Sequence, residues 1–123
     1  MARKLAQSTL DKYRTRLEEE RERLTEMIEE AAQALEEARQ TEASAERSPD
    51  PGNAEAGSMK FEYEKELSMQ QNAIDLLHKV EHALERIESG EYGVCESCGQ
   101  DIPTARLDVL PYATFCVNCA SRR

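Results

Sequence analysis

All four cysteines of this chain fall after residue 94, as Cys95-Glu96-Ser97-Cys98 and Cys116-Val117-Asn118-Cys119, with 17 residues between the pairs. Two C-x2-C pairs at this separation have the spacing of a four-cysteine zinc site. Each pair turns tightly enough to bring two thiolates to one ion, and Gly99 directly after the first pair eases that turn. Two such knuckles complete a tetrahedral shell with no open coordination position, so the ion is structural and not hydrolytic. Two disulfides would need an oxidising compartment, of which the sequence gives no sign. A redox C-x-x-C sits in a strand–helix setting, and two copies would be unusual.

The rest of the composition explains why a metal is needed. The chain has 123 residues, 39% of them hydrophobic and 5% aromatic, with no tryptophan. A small chain already buries a low fraction of its surface, and this one has little to bury. Metal binding supplies folding free energy to a segment of this kind. The formal charge is −9. Residues 93–123 are neutral, with Glu96, Asp101 and Asp108 against Arg106, Arg122 and Arg123, so the acidic excess lies in residues 1–92. Four thiolates and one divalent ion add a further −2. Two modules with different physics are expected, 1–92 and 93–123.

The first module has the pattern of two helices. Leu10, Tyr13, Leu17, Leu24, Met27, Ala31, Ala34 and Ala38 follow steps of three and four, broken once at Glu20. That is the a/d seam of a coiled coil, widened by Ile28 and Leu35. Ser8 is the expected N-cap, and the pattern fades by Thr41. Residues 47–58 hold two prolines and two glycines and are expected to break the helix. Met59, Tyr63, Ala73, Leu77, Val80, Leu84 and Ile87 then form a second seam, interrupted by Glu66 and Gln70 and flanked by Leu67 and Ile74. Ser89-Gly90 supplies the stop. Folding back buries both stripes, so an antiparallel hairpin is predicted, with its tip at about 47–58. Homodimerisation along the seam is the competing use of such stripes.

Several function classes are disfavoured. No apolar run approaches the roughly 20 residues of a membrane span. The start is not followed by the apolar stretch of a signal peptide, which makes the cytoplasm the expected compartment. A strongly acidic chain is repelled by nucleic acid, and Gly99 to Phe115 offers only Arg106 as a base, so direct DNA recognition is not expected. His78 and His82 stand four apart without a third ligand in view and are expected to be ordinary helix histidines. No Ser/His/Asp arrangement or phosphate-cradling glycine loop appears, and no catalytic residue is expected.

The string Ile87-Glu-Ser-Gly-Glu-Tyr-Gly-Val-Cys-Glu-Ser-Cys-Gly, then Ile102-Pro103, Arg106-Leu107, Pro111, Ala113 and Cys116-x-x-Cys119, closely resembles the DksA/TraR family of four-cysteine zinc-finger proteins. The resemblance is strong over residues 74–119 and rests on the coiled-coil pattern alone in the first helix. It implies a mainly α fold, a long antiparallel coiled-coil hairpin with a small C-terminal zinc-finger module. It also implies a regulator, not an enzyme, that binds bacterial RNA polymerase, inserts its coiled coil into the secondary channel and alters initiation without sequence-specific DNA contact. Family members carry acidic tip residues in a D-x-x-D-x-A pattern. Here Asp50 fits the first aspartate, Asn53 replaces the second and Glu55 replaces the alanine. The spacing from Asp50 to Cys95 is two residues longer than in typical members, and without that insertion Glu55 takes the place of the second acid. An acidic tip near a catalytic Mg²⁺ could perturb its coordination, because hard cations take carboxylate oxygens. As a simple turn, Asp50 before Pro51-Gly52 would be equally at home.

Members that respond to guanosine tetraphosphate use basic side chains near the zinc end. Lys79 matches one such position, whereas Leu110 and Ala120 stand where Arg and Lys are frequent. A weak or absent nucleotide response is therefore expected. The resemblance thus names Cys95, Cys98, Cys116 and Cys119 as zinc ligands, Asp50, Asn53 and Glu55 as the working tip and Lys79 as a candidate nucleotide contact, whose alternative is a solvated charge on the helix face. The expected state is a monomer. An acidic adaptor that binds another protein without affecting transcription is the alternative.

Overall fold

The computed structural model describes the backbone of residues 5–46 and 54–122, and the side chains of 5–41 and 60–122. The fold is mainly helical: α1 (Gln7–Glu46), α2 (Ala54–Ser89), α3 (Thr104–Val109) and α4 (Val117–Ser121). The first two make the hairpin, and the short ones belong to the cysteine module. No helix among the described residues is long and apolar enough to cross a membrane.

Helix α1 begins one residue before Ser8, so the expected cap lies inside the helix. Its first turn closes with the Leu10 N–H donating to the Ala6 carbonyl at 3.0 Å. It continues five residues past Thr41, where the apolar pattern fades. Ala and Glu are strong helix formers and propagate the helix without a buried face. Helix α2 starts at Ala54, so 54–58 of the expected break is helical. Ala54, Glu55 and Ala56 outweigh Gly57, whose handicap against Ala is about 1 kcal/mol. Asp50 and Asn53 lie outside the described residues; Glu55 falls in the first turn of α2, and its side chain is likewise outside them.

The end of α2 fits the expected stop. Gly90 takes φ +80. Its N–H donates to the Ile87 carbonyl at 3.2 Å, and the Glu91 N–H donates to the Arg86 carbonyl at 2.9 Å. These are the two bonds of a Schellman cap, with Gly90 at the left-handed position. A Cβ at Gly90 would meet nothing within 4 Å, so substitution there tests backbone strain alone. Gly90→Ala is expected to lower stability by about 1–2 kcal/mol, read as a shift of the urea midpoint with unchanged slope.

By packing, the chain divides into two compact units, Met1–Arg23 with Leu77–Arg123, and Leu24–Leu76. The first unit buries Tyr13 and Leu17 of α1 against Val80, Ala83 and Ile87 of α2 and against Tyr92, Cys95, Ile102, Leu107 and Ala113 of the cysteine module. The deepest line along α2 is Ala73, Val80, Ala83, Ile87, while the expected seam residues Leu77 and Leu84 are half-buried. Ala83 was passed over because a larger neighbour, Leu84, fits the same repeat. Ala83 is fully buried. Charge follows the packing units closely. The Leu24–Leu76 unit holds 13 acidic and 4 basic residues, a net of −9, and the first unit is balanced.

Candidate metal centre

The cysteine module is hung on the end of α2. After the Schellman turn, Gly93 takes φ +86 and Gly99 takes φ +74. Val94, after the first of these glycines, and Asp101, after the second, form an antiparallel bridge, and the Cys95 N–H donates to the Gln100 carbonyl at 2.8 Å. The Gly99 N–H returns to the Cys95 carbonyl at 3.0 Å, closing the first knuckle. The second knuckle opens α4: Cys116 is its N-cap residue and Cys119 lies one turn on. The Glu96 N–H donates to the Thr114 carbonyl at 2.9 Å and ties the two knuckles together.

Tyrosines and arginines fix this module on the helices. The Tyr13 hydroxyl donates to Asp108 at 2.6 Å, and its ring lies 5.6 Å from that of Tyr92. The Tyr92 hydroxyl donates to the Pro111 carbonyl at 2.7 Å. Burial, followed by the neighbouring Tyr13, pushes the Tyr92 phenol far above its ordinary value, so it remains a donor. Arg106 donates to the Phe115 carbonyl at 3.0 Å. Arg86 reaches furthest. It donates to the carbonyls of Glu91 (3.1 Å) and Val94 (2.8 Å) and pairs with the carboxylates of Glu91 (3.1 Å) and Glu96 (3.2 Å).

The four sulfur atoms all lie within 4.8 Å of one another, and Cys98 and Cys116 are 3.7 Å apart. A tetrahedron with zinc–sulfur bonds of about 2.3 Å has edges of about 3.8 Å, so the cluster has the dimensions of a zinc shell. Cys95 is buried, which opposes its ionisation. Backbone N–H groups of Cys116, Cys98 and Ser97 overcome that and bring its thiol down to about 6. The Cys119 thiol is pushed up to about 12, chiefly by Cys116, with Cys95 and Cys98 contributing. Four adjacent thiolates are tolerable only around a cation.

His82 and His78 are exposed on α2, and His82 is taken up by the Glu96 carboxylate. Among the described residues the four cysteines are the group that converges as metal ligands. Glu96 is drawn below the usual carboxylate range: burial opposes this, but hydrogen bonds from His82 and Thr114 and the charge of Arg86 prevail. Lys79 is exposed and lines a groove of about 660 Å³ together with His78, Arg106, Leu110, Phe115 and Ala120. The fold thus brings the three positions singled out from the resemblance to one groove, where two of them carry no charge. The role of Arg86 and the bond of Tyr13 to Asp108 are not signalled by the sequence. Arg86 precedes the recognisable string by one residue and has no spacing signal of its own.

Residues 90–123 match the family described as prokaryotic dksA/traR C4-type zinc finger. An uncharacterised protein of Aquifex aeolicus is 38% identical over 76 residues, 61% of this chain and 52% of that protein. The RNA polymerase-binding transcription factor DksA of Escherichia coli is 34% identical over 71 residues, 58% of this chain and 46% of that protein. The matched stretches thus span about half the length of these relatives. Among solved structures, transcription factor DksA2 from Pseudomonas aeruginosa superposes with a TM-score of 0.75 at 29% identity, covering 94% of this chain and 83% of that one. The RNA polymerase binding protein and transcriptional regulator Dks of Chlamydia trachomatis shares the fold, with a TM-score of 0.56 at 24% identity over 96% of this chain and 90% of its own. Two long helices followed by four converging cysteines, matched in sequence over the finger and in fold along nearly the whole length, make residues 90–123 a zinc finger of the dksA/traR C4 type on a chain similar in fold to DksA2.

Proposed function

We infer that this chain is a non-enzymatic, monomeric transcription regulator of the bacterial cytoplasm that binds RNA polymerase, enters its secondary channel with the hairpin tip and modulates initiation. The observation that carries this reading is the likeness to DksA2 along 94% of the chain, hairpin included, together with a relative described as RNA polymerase-binding. The charge distribution supports it. The −9 is concentrated in the Leu24–Leu76 unit, which repels a nucleic-acid template and favours a basic protein surface. Asp50, Asn53 and Glu55 are the proposed working residues of the tip. Guanosine tetraphosphate has little purchase, because Lys79 shares its groove with uncharged Leu110 and Ala120 and with Arg106, which donates to the Phe115 carbonyl.

The test is transcription in vitro with purified polymerase, paired with a binding measurement. Asp50→Asn is expected to leave polymerase affinity within about twofold, since a single charge among 25 acidic residues contributes little to binding. The same variant should abolish most of the change in transcript yield. Output that responds equally to wild type and variant would reduce Asp50 to a turn residue. Absence of polymerase binding would leave the adaptor reading in its place. Adding guanosine tetraphosphate should change neither binding nor output.

A further inference from the structure

The seam is poorly filled within the Leu24–Leu76 unit. Among the described residues of that unit, the buried apolar side chains are Leu24, Ala31 and Ala73. Two of these three are alanines. Met27, Ala34 and Ala38 are half-buried, and α2 offers Glu66 and Gln70 where the repeat calls for large apolar groups. A gap of about 300 Å³ lies between the helices, bordered by Met27, Ala31, Ala34, Glu66, Met69 and Ala73. Bulky side chains nearby are exposed and do not close it: Phe61 is 66% exposed and Leu67 47%, and Met69 on the border of the gap is 46% exposed. The other unit differs in kind. Its helices bury Tyr13, Leu17, Val80, Ala83 and Ile87 and are tied by the Arg14–Glu88 pair at 3.5 Å and the Tyr13–Asp108 bond.

Proteins open locally in cooperative units whose free energies follow local burial. A seam of alanines around a gap, under the mutual repulsion of 13 acids, is the low end of that range. We propose that the helical segments 24–46 and 54–76 form a separate, weakly closed unit and part along this seam while the unit holding the zinc site stays folded. A surface that grips the closed form must supply the free energy of closing, so binding and ordering of this unit are coupled. The proposal does not depend on which partner that is.

Hydrogen–deuterium exchange on the full zinc-loaded chain, followed by mass spectrometry in increasing sub-denaturing urea, tests this. Amides of 27–41 and 60–75 are expected to exchange about tenfold or more faster than those of 10–20 and 78–88, and to respond separately to urea. Ala31→Leu and Glu66→Leu, each made singly, fill the gap and should slow the first set several-fold without changing the second. Equal protection of the two sets in the wild-type chain would overturn the proposal, whatever the variants do. So would one urea transition shared by both, or a gap-filling variant that slows both sets equally.

Discussion

Removing the zinc is expected to unfold residues 93–122 and to loosen the helices that this module clasps. The cost is large because the thiolates have no other cation. Structural zinc contributes on the order of 10 kcal/mol or more of apparent binding free energy at pH 7, which exceeds the whole stability of most small domains. Chelation, or Cys116→Ser, should therefore abolish the near-ultraviolet signal of Tyr92 and Tyr112 and expose both to solvent. Much helical signal should persist from α1 and α2. Metal analysis should give one zinc per wild-type chain; a metal-free chain with its module intact would overturn the assignment. The pH dependence has a definite sign. The Cys119 thiol, raised to about 12, is protonated at neutral pH, so zinc must displace its proton. Affinity, and the stability linked to it, should increase with pH and be lost progressively on acidification. Cys95, lowered to about 6 against its burial by backbone N–H groups, is the site where the first thiolate is held.

How much of this was legible in the sequence depends on whether a residue type announces its role by spacing. Cysteines at C-x2-C intervals do, and the four converge as the intervals imply. Apolar residues at steps of three and four do, and Tyr13, Leu17, Leu24 and Ala31 are buried as the repeat requires. Gly90 does, because few residues tolerate its backbone conformation. Ala83 did not, since its burial depends on how closely the facing helix approaches. The start of α2 was misplaced by several residues because composition alone cannot weigh Gly57 against its helix-forming neighbours. The bonds of Tyr13 to Asp108 and of Arg86 to Val94 join residues far apart in sequence or buried in a turn, and carry no periodic signal. The packing units narrow the acidic excess from residues 1–92, as read from composition, to Leu24–Leu76.

Arg86 is where an unsignalled residue has the largest consequence. Only 11% of its side chain is exposed, yet it sits one turn before the end of α2 and meets both flanks of the first ligand, the Val94 carbonyl and the Glu96 carboxylate. Its backbone carbonyl accepts from Glu91 in the Schellman turn, so the same residue fixes the turn and the knuckle. Replacing it with Leu keeps the apolar stem and removes every donor. The Val94 carbonyl then loses its partner, and Glu96 keeps only His82 and Thr114 to hold it charged. Losing hydrogen bonds from a charged, largely buried group costs about 2–3 kcal/mol, discounted here because Glu91 is well exposed. Arg86→Leu should lower the urea midpoint of the zinc-loaded chain accordingly, with zinc still bound one per chain. Glu96→Gln alone should cost less, about 1 kcal/mol, and the double variant should cost less than the two singles together, because they share one bond. Additive losses would show that Arg86 acts through the Val94 carbonyl and Glu91 alone. In that case the turn, and not the carboxylate network, is what holds the first knuckle against α2.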